Sequence, residues 1–292
     1  MKKLLVTGAS GFLGRYVARL APEGWRLVGM CHKHPEGIPR KMEFIQTDLT
    51  DKDALWAAFK AIRPDAVFHL AAISSTNFCE ENPEISESVN VGATATLTEF
   101  CFETRRRLFF TSSGQVFDGL SDVYHESDPV SPKNEYGRQK ARAEAFVHKH
   151  LPDAVICRVP VLFGQPGPTS RNFAADWLRG WQNGRPAVAF YDEIRTFLSG
   201  KKAAEALFLL LEKAAAGIFH VGGREALTRV AFAEILREAL QLPDAPIKAK
   251  SQSDVKMSAY RPPRVVFESR KIRELGFRRG AIRDNVLDVF GA

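Results

Sequence analysis

Residues Lys2 to Arg15 read K-K-L-L-V-T-G-A-S-G-F-L-G-R, and no other stretch constrains the fold as much. A short apolar run meets Gly8, Gly11 and Gly14 and then passes into an amphipathic pattern, which predicts a strand, a tight turn and a helix. The glycines have separate jobs. One permits a turn too sharp for a Cβ, one lets the backbone approach a pyrophosphate, and one lets the helix pack closely on its strand. The helix N-terminus then offers free N–H groups and a positive pole to phosphate oxygens. Gly8, Ser10, Gly11, Phe12, Leu13 and Gly14 are therefore candidate dinucleotide contacts. A strand-to-helix turn that binds nothing is the plainer reading of three glycines alone, and the position directly after an N-terminal apolar strand favours the ligand.

At 292 residues, 45% of them hydrophobic, the chain can bury a full core as one large domain with a smaller lobe. No apolar run reaches the length of a membrane span, and the N-terminal residues form a strand where a leader would need a longer apolar region, so a cytoplasmic protein without membrane contact is expected. Cys31, Cys79, Cys101 and Cys157 are scattered without metal-ligand spacing, as reduced buried thiols would be, and no metal site is expected. The net charge is +7. Its basic residues are dispersed and no nucleic-acid motif accompanies them, so the field favours anionic small molecules over nucleic acid.

Arg26 to Cys31 reads as the second strand. In dinucleotide folds an acid at its end, about 20 residues past the glycines, bonds the ribose 2′-OH, whereas basic residues accommodate a 2′-phosphate. Cys31 stands where that acid would be, followed by His32 and Lys33, which favours NADPH over NADH; a solvated basic loop is the bland alternative. Met42 to Gln46 is the third strand, ending at Thr47-Asp48-Leu49, and Asp51 starts a helix. Asp65 to Ala72 is a fourth strand, apolar enough to be buried on both faces. His69 within it reads as a packed residue rather than a catalyst. Pro83 to Arg107 is a long helical pattern closed by three arginines that meet the negative pole of its C-terminus.

The strand Leu108 to Thr111 delivers Ser112 and Ser113, and Asn134 onward reads N-E-Y-G-R-Q-K-A-R-A-E-A. Tyr136 and Lys140 are four apart and share one helix face. A phenol of pKa about 10 is a poor proton carrier at neutral pH, and a neighbouring ammonium would stabilise its anion. Tyr-x-x-x-Lys alone is common; set after a Ser-Ser strand on a chain that opens with T-G-x-x-G-x-x-G, it is a catalytic constellation.

These motifs resemble the extended short-chain dehydrogenase/reductases, and T-S-S-G-Q-V-F-D-G is similar to the dTDP-4-dehydrorhamnose reductase group within them. The resemblance covers about residues 1 to 165 and implies a Rossmann-type, doubly wound parallel α/β sheet with a smaller C-terminal α/β substrate lobe. It implies a catalytic hydroxyl at Ser113, with Ser112 as the alternative, beside Tyr136 and Lys140. It implies cofactor contacts at Asp48 and Leu49 near the adenine, at Leu70, Ala71, Ala72 and Val159 along the cleft, and at Asn90, which would support Lys140 through water. Where that group carries Asp-Tyr, this chain has Gly114-Gln115.

Beyond the sixth strand (Ala154 to Val159) a Pro/Gly-rich exit marks a boundary near Gly164. The dinucleotide domain spans 1–164 and the substrate lobe 165–292, with the helix at 201–216 returning to the large domain by the same resemblance. Thr169 to Trp181 reads as a helix, Gly217 to Gly222 as a strand, and Thr228 and Ser269 as helix caps. Ser74, Gln115, Asn172, Arg195 and Arg261, with Arg171 beside them, match polar positions that hold substrate in the family. The implied activity is NADPH-dependent reduction of a keto group on a nucleotide-linked sugar, with NAD as the other possible cofactor. A nucleotide-sugar epimerase with tightly held NAD is the enzymatic alternative. A non-catalytic NADP-binding subunit, as in methionine adenosyltransferase, is the alternative of another class. A homodimer paired through helices at about 86–104 and 134–150 is expected by likeness.

Overall fold

The computed structural model of the chain describes residues 1–40 and 42–291. The first half runs β1 (Lys2–Thr7), α1 (Phe12–Leu20), β2 (Trp25–Cys31), β3 (Glu43–Gln46), α2 (Lys52–Ile62) and β4 (Ala66–His69). It continues with α3 (Thr76–Glu81), α4 (Pro83–Glu87), α5 (Ala93–Thr104), β5 (Arg107–Ser113), α6 (Glu135–His150) and β6 (Val155–Val159). The second half runs β7 (Leu162–Phe163), α7 (Phe173–Gln182), β8 (Ala187–Phe190), β9 (Ile194–Arg195), β10 (Leu198–Ser199), α8 (Gly200–Glu212) and β11 (Gly217–His220). It ends with β12 (Leu227–Thr228), α9 (Arg229–Ala239), β13 (Ile247–Lys250), β14 (Arg264–Val265), α10 (Arg270–Glu274) and α11 (Ile282–Phe290).

Seven parallel strands form the central sheet in the order β11-β6-β5-β4-β1-β2-β3, the doubly wound Rossmann-type arrangement. Side chains alternate across it because a strand has a period of two. Leu4 and Val6 enter the core beneath α1 and α8, whereas Leu5 enters the core beneath α2, α5 and α6. Both faces are therefore covered, which is why these strands read as continuous apolar runs. Replacing fully buried Leu5 with alanine would cost about 2–5 kcal/mol. The strand order reverses between β1 and β4, and the crevice at the C-terminal strand ends there holds the site described below.

Several element boundaries differ from the sequence reading. The pattern Pro83 to Arg107 is not one α-helix: a wider π-type turn at Ser88–Gly92 separates α4 from α5, and Arg105 ends α5 in the left-handed region at φ 56°. The helix expected from Thr169 begins at Phe173, because Asn172 has extended backbone and its side chain caps the Ala174 amide. Ser269 precedes α10 without capping it; its hydroxyl instead accepts from the Gly222 amide at 3.0 Å. The chain beyond Gly164 re-enters the large domain twice. α8 packs on α1, and β11 hydrogen-bonds to β6 as the seventh strand of the main sheet. The remaining lobe has its own core of Phe163, Trp181, Phe197 and Phe232. Among the described residues no helix is long and apolar enough to cross a membrane, and no His, Cys or acidic cluster could hold a metal ion.

Candidate active site

The glycine turn after β1 is built for close approach. Gly8 sits at φ +67°, and a Cβ there would lie 2.8 Å from the Ala71 backbone. A Cβ at Gly14 would lie 2.6 Å from the Ala9 carbonyl, so α1 packs on its own turn as the spacing requires. Gly11 caps α1 with no side-chain hydrogen bond, which leaves the first amides of the helix to face the cleft. This cradle fits the pyrophosphate of a dinucleotide. Gly8, Gly11, Phe12 and Leu13 line one end of a cleft of about 790 Å³, with Leu70, Ala71 and Ala72 along its side. Ser10 and Gly14 lie behind that wall, the Ser10 carbonyl accepting from the Thr169 hydroxyl at 3.1 Å.

Ser113, Tyr136, Lys140 and Val159 line the same cleft. Asn134 caps α6 by accepting from the Gly137 amide at 2.8 Å, which sets the helix so that Tyr136 and Lys140 face β5. The Lys140 ammonium donates to the Thr111 carbonyl at 2.9 Å and lies 4.5 Å from the centre of the Phe110 ring. Burial pulls its pKa down to about 8, against the attraction of Glu144. Burial also pushes the Tyr136 phenol above its ordinary value, with the Ser113 hydroxyl opposing. The sequence reading had Lys140 drawing that phenol down. In the apoprotein desolvation prevails, and the phenol stays protonated, the state a proton donor needs.

The two serines have different partners. Ser112 is buried and donates to the Glu144 carboxylate, whereas Ser113 stands beside Tyr136. His69 is a packed residue, as its sequence context predicts. Its ring sits between the hydroxyls of Thr7 at 2.7 Å and Thr94 at 2.9 Å, and burial lowers its pKa to about 3. Asn90 is buried. Its side chain clamps Ile73 through the amide at 2.9 Å and the carbonyl at 3.0 Å, and donates to Gln139 at 2.8 Å. It thus braces the loop after β4 against α6, one residue before Lys140, and does not line the cleft.

His32, Lys33, Asp48 and Leu49 follow β2 and β3, apart from the cleft walls. His32 Nε2 lies 3.4 Å from the Asp48 carboxylate. Asp48 accepts from the Thr50 amide at 2.9 Å and the Thr50 hydroxyl at 2.8 Å, bonds that hold its carboxyl below the usual range. Leu49 packs against the core beneath α2.

On the opposite side of the cleft the polar residues are unequal. Ser74 and Gln115 line the wall, Gln115 accepting from Asn134 at 2.8 Å. Asn172 borders the cleft, but its side chain is spent on the Gly164 and Ala174 amides and the Leu162 carbonyl. Arg171 is exposed at the mouth, 3.3 Å from Asp176. Arg195 is fully buried and donates to the carbonyls of Ile194 at 2.7 Å and Pro263 at 3.3 Å, which ties β9 to the segment before β14. Arg261 donates to Asn77 at 2.8 Å, and its second terminal nitrogen has no partner among the described residues. Two charged lining residues escaped the sequence reading: Glu193, buried between Arg195 at 3.4 Å and Arg229 at 2.9 Å, and Arg229 itself. Two guanidinium groups thus share one carboxylate, whose field also reaches Arg261. A larger open groove of about 1590 Å³ between α7, α9 and α11 contains none of the triad.

A parallel sheet in this order with Ser113, Tyr136 and Lys140 in the crevice defines an enzyme of the extended short-chain dehydrogenase/reductase type. Within that class the chain belongs to the RmlD substrate binding domain family, whose model matches residues 1–291. It is 30% identical over 286 residues to the probable low-salt glycan biosynthesis reductase Agl14 of Haloferax volcanii, covering 96% of this chain and 95% of that one. It is 28% identical to methionine adenosyltransferase 2 subunit beta of Rattus norvegicus, over 94% of this chain and 83% of that one. Among solved structures, the dTDP-4-dehydrorhamnose reductase of Bacillus anthracis in complex with NADP superposes with a TM-score of 0.87 at 20% identity, covering 99% of each chain.

Proposed function

We propose that this protein reduces a keto group on a nucleotide-linked sugar with NADPH as donor. The reading is carried by one juxtaposition: Ser113, Tyr136 and Lys140 share a cleft with Arg195, Arg229 and Arg261, three cations against the single carboxylate of Glu193. That excess of positive charge suits a diphosphate. A nicotinamide dinucleotide held along the glycine turn supplies a hydride when bound. The chain's own residues do the rest. Ser113 donates to the ketone oxygen and orients it, and Tyr136 gives its proton to the alkoxide as charge develops there. Lys140 keeps a positive charge beside the phenol, easing the loss of that proton. The choice of NADPH is supported by Cys31, which occupies the position of a ribose-binding acid, and by His32 and Lys33 after it.

The decisive experiment follows NADPH oxidation across a panel of nucleotide-sugar ketones. Wild-type turnover is expected, and Tyr136→Phe should lower kcat by about 10²- to 10⁴-fold with NADPH affinity nearly unchanged. Cofactor binding without turnover on any ketone would favour instead the regulatory role suggested by the likeness to the methionine adenosyltransferase β subunit. The same proposal has the protein work in the cytoplasm as a homodimer paired along α5 and α6, which light scattering would test.

A further inference from the structure

Gly114 and Gln115 follow Ser113 directly, and neither has a part in the triad. Neither offers a group that exchanges a proton near neutral pH, so the pair can act on a substrate only through shape and hydrogen bonding. Gly114 is held small by the C-terminal segment: a Cβ there would lie 2.9 Å from Val265 Cγ1 and 3.1 Å from the Phe267 ring. The aspartate that the resembling reductases carry at this place therefore has no room. The pair offers the cleft one functional group, the Gln115 carboxamide.

Gln115 is pinned beside the reacting groups. Its backbone amide donates to the Ser113 hydroxyl at 3.2 Å, which leaves the serine's own proton free to give. Its backbone carbonyl is pressed against α6, where a Cβ at Gly137 would lie 2.1 Å from that oxygen. The direction of its carboxamide is fixed as well. Asn134, fully buried, accepts from the Gly137 amide at 2.8 Å and donates through its nitrogen to the Tyr260 carbonyl at 2.9 Å. A backbone amide only donates and a backbone carbonyl only accepts, so these bonds admit one orientation of Asn134. The same nitrogen lies 2.8 Å from the end of the Gln115 side chain, which must present its oxygen there. Gln115 Nε2 makes no hydrogen bond among the described residues and keeps both protons for the cleft.

We propose that Gln115 is a specificity-determining residue: Nε2 donates to a hydroxyl oxygen on the carbon next to the ketone, so the preferred substrate is an α-hydroxy ketone. The inference rests on the reductase reading above and narrows its substrate. Ser113 and Tyr136 take the ketone oxygen, and Gln115 continues the same wall from Ser113, so the substrate atom within its reach is a neighbour of the carbonyl carbon. A neutral donor suits a neutral acceptor there, whereas the arginines across the cleft serve the charged end. A ketone lacking that hydroxyl leaves Nε2 facing an apolar carbon, a loss against which hydrogen-bonding sites discriminate strongly.

The test compares kcat/KM, with NADPH, for two dTDP-linked ketohexoses that differ only in carrying hydroxyl or hydrogen on the carbon next to the carbonyl. Wild type should favour the hydroxylated ketone at least about tenfold, and Gln115→Met, which keeps the length and loses the donor, should bring the ratio within about threefold. A wild type without that preference, or an unchanged ratio in a Gln115→Met protein that melts cooperatively, overturns the proposal. A second measurement needs no turnover. In wild type carrying ¹⁵N-labelled glutamine, the Gln115 side-chain resonance is identified by its loss in Gln115→Glu. The two corresponding alcohols, which NADPH cannot reduce further, are then added in its presence. The hydroxylated sugar should shift the resonance and its deoxy counterpart should not; equal shifts, or none, overturn the proposal. If neither ketone is reduced, the reductase reading fails, and the resonance alone decides whether Gln115 reads the hydroxyl.

Discussion

Lys140 is located by the backbone of Thr111, to whose carbonyl it donates at 2.9 Å, and not by direct contact with an acid. Its place is therefore fixed by β5, while burial brings its pKa down to about 8 against the opposing attraction of Glu144. As a base it is charged below that value and neutral above it. The rate of ketone reduction should accordingly fall on the alkaline side, measured as kcat/KM against pH. For stability the sign is opposite. A depressed pKa means that the cost of holding the charge is absent above about pH 10.5 and fully present below 8. Lys140→Met should be inactive yet melt a few degrees above wild type at pH 7.

The glycine turn makes a second expectation. Gly8 combines φ +67° with a Cβ position 2.8 Å from Ala71, so Gly8→Ala meets both backbone strain and a clash with a neighbouring main chain. Strain of this kind costs about 1–3 kcal/mol. Ala71 is itself a cleft wall, so the displaced backbone would narrow the space beside Leu70 and Ala72. Gly8→Ala should lower the urea midpoint and weaken NADPH binding at least tenfold, read by fluorescence titration. Unchanged affinity would remove this turn from cofactor binding.

Much of the sheet was legible because its signals are local: apolar runs of strand length, a glycine turn after the first, and Tyr136 and Lys140 at helical spacing. What could not be read depends on partners far along the chain. Arg195 read as a substrate contact gave no sign of the Pro263 carbonyl it also holds, 68 residues away. Ser269 looked like a cap because nothing nearby announces Gly222, whose amide it satisfies. Glu193 and Arg229 gave no sequence signal at all, being ordinary surface types until β9 and α9 bring them together at 2.9 Å. Asn172 did carry a signal, a capping residue just before an amphipathic run, and the better reading was to start the helix after it.

The segment after β2 gives a third prediction. His32 and Lys33 follow Cys31, and the acids nearby are engaged, Asp48 with Thr50 and with His32 itself, Glu36 with His34. If these basic side chains receive a 2′-phosphate, replacing both, His32→Asn with Lys33→Ser, should weaken NADPH at least about tenfold while changing NADH little. Cys31→Asp, which restores the acid at the strand end, should improve NADH binding relative to NADPH. Equal weakening of both dinucleotides would show that the segment does not read the 2′ position.

Acid stability supplies the last prediction, through the two buried histidines of the sheet. His69 is packed between Thr7 and Thr94, and His220 lies against the Phe267 ring at 4.3 Å, its Nδ1 3.1 Å from the Tyr124 carbonyl. Burial brings each to a pKa of about 3, and Lys140 and Arg158 add repulsion to His69 and His220 respectively. Once the chain unfolds, both take up protons near their ordinary value of 6.5, so the unfolded state binds more protons below that pH. Their contribution is complete above pH 6.5 and is lost as pH falls toward 3, each histidine adding a slope of up to about 1.4 kcal/mol per pH unit. Urea unfolding free energies measured at intervals between pH 7 and 4 should decline along that slope. His69→Asn should remove its share of the pH dependence even if it lowers stability at pH 7, and an undiminished slope in that variant would assign the acid sensitivity to the carboxylates instead.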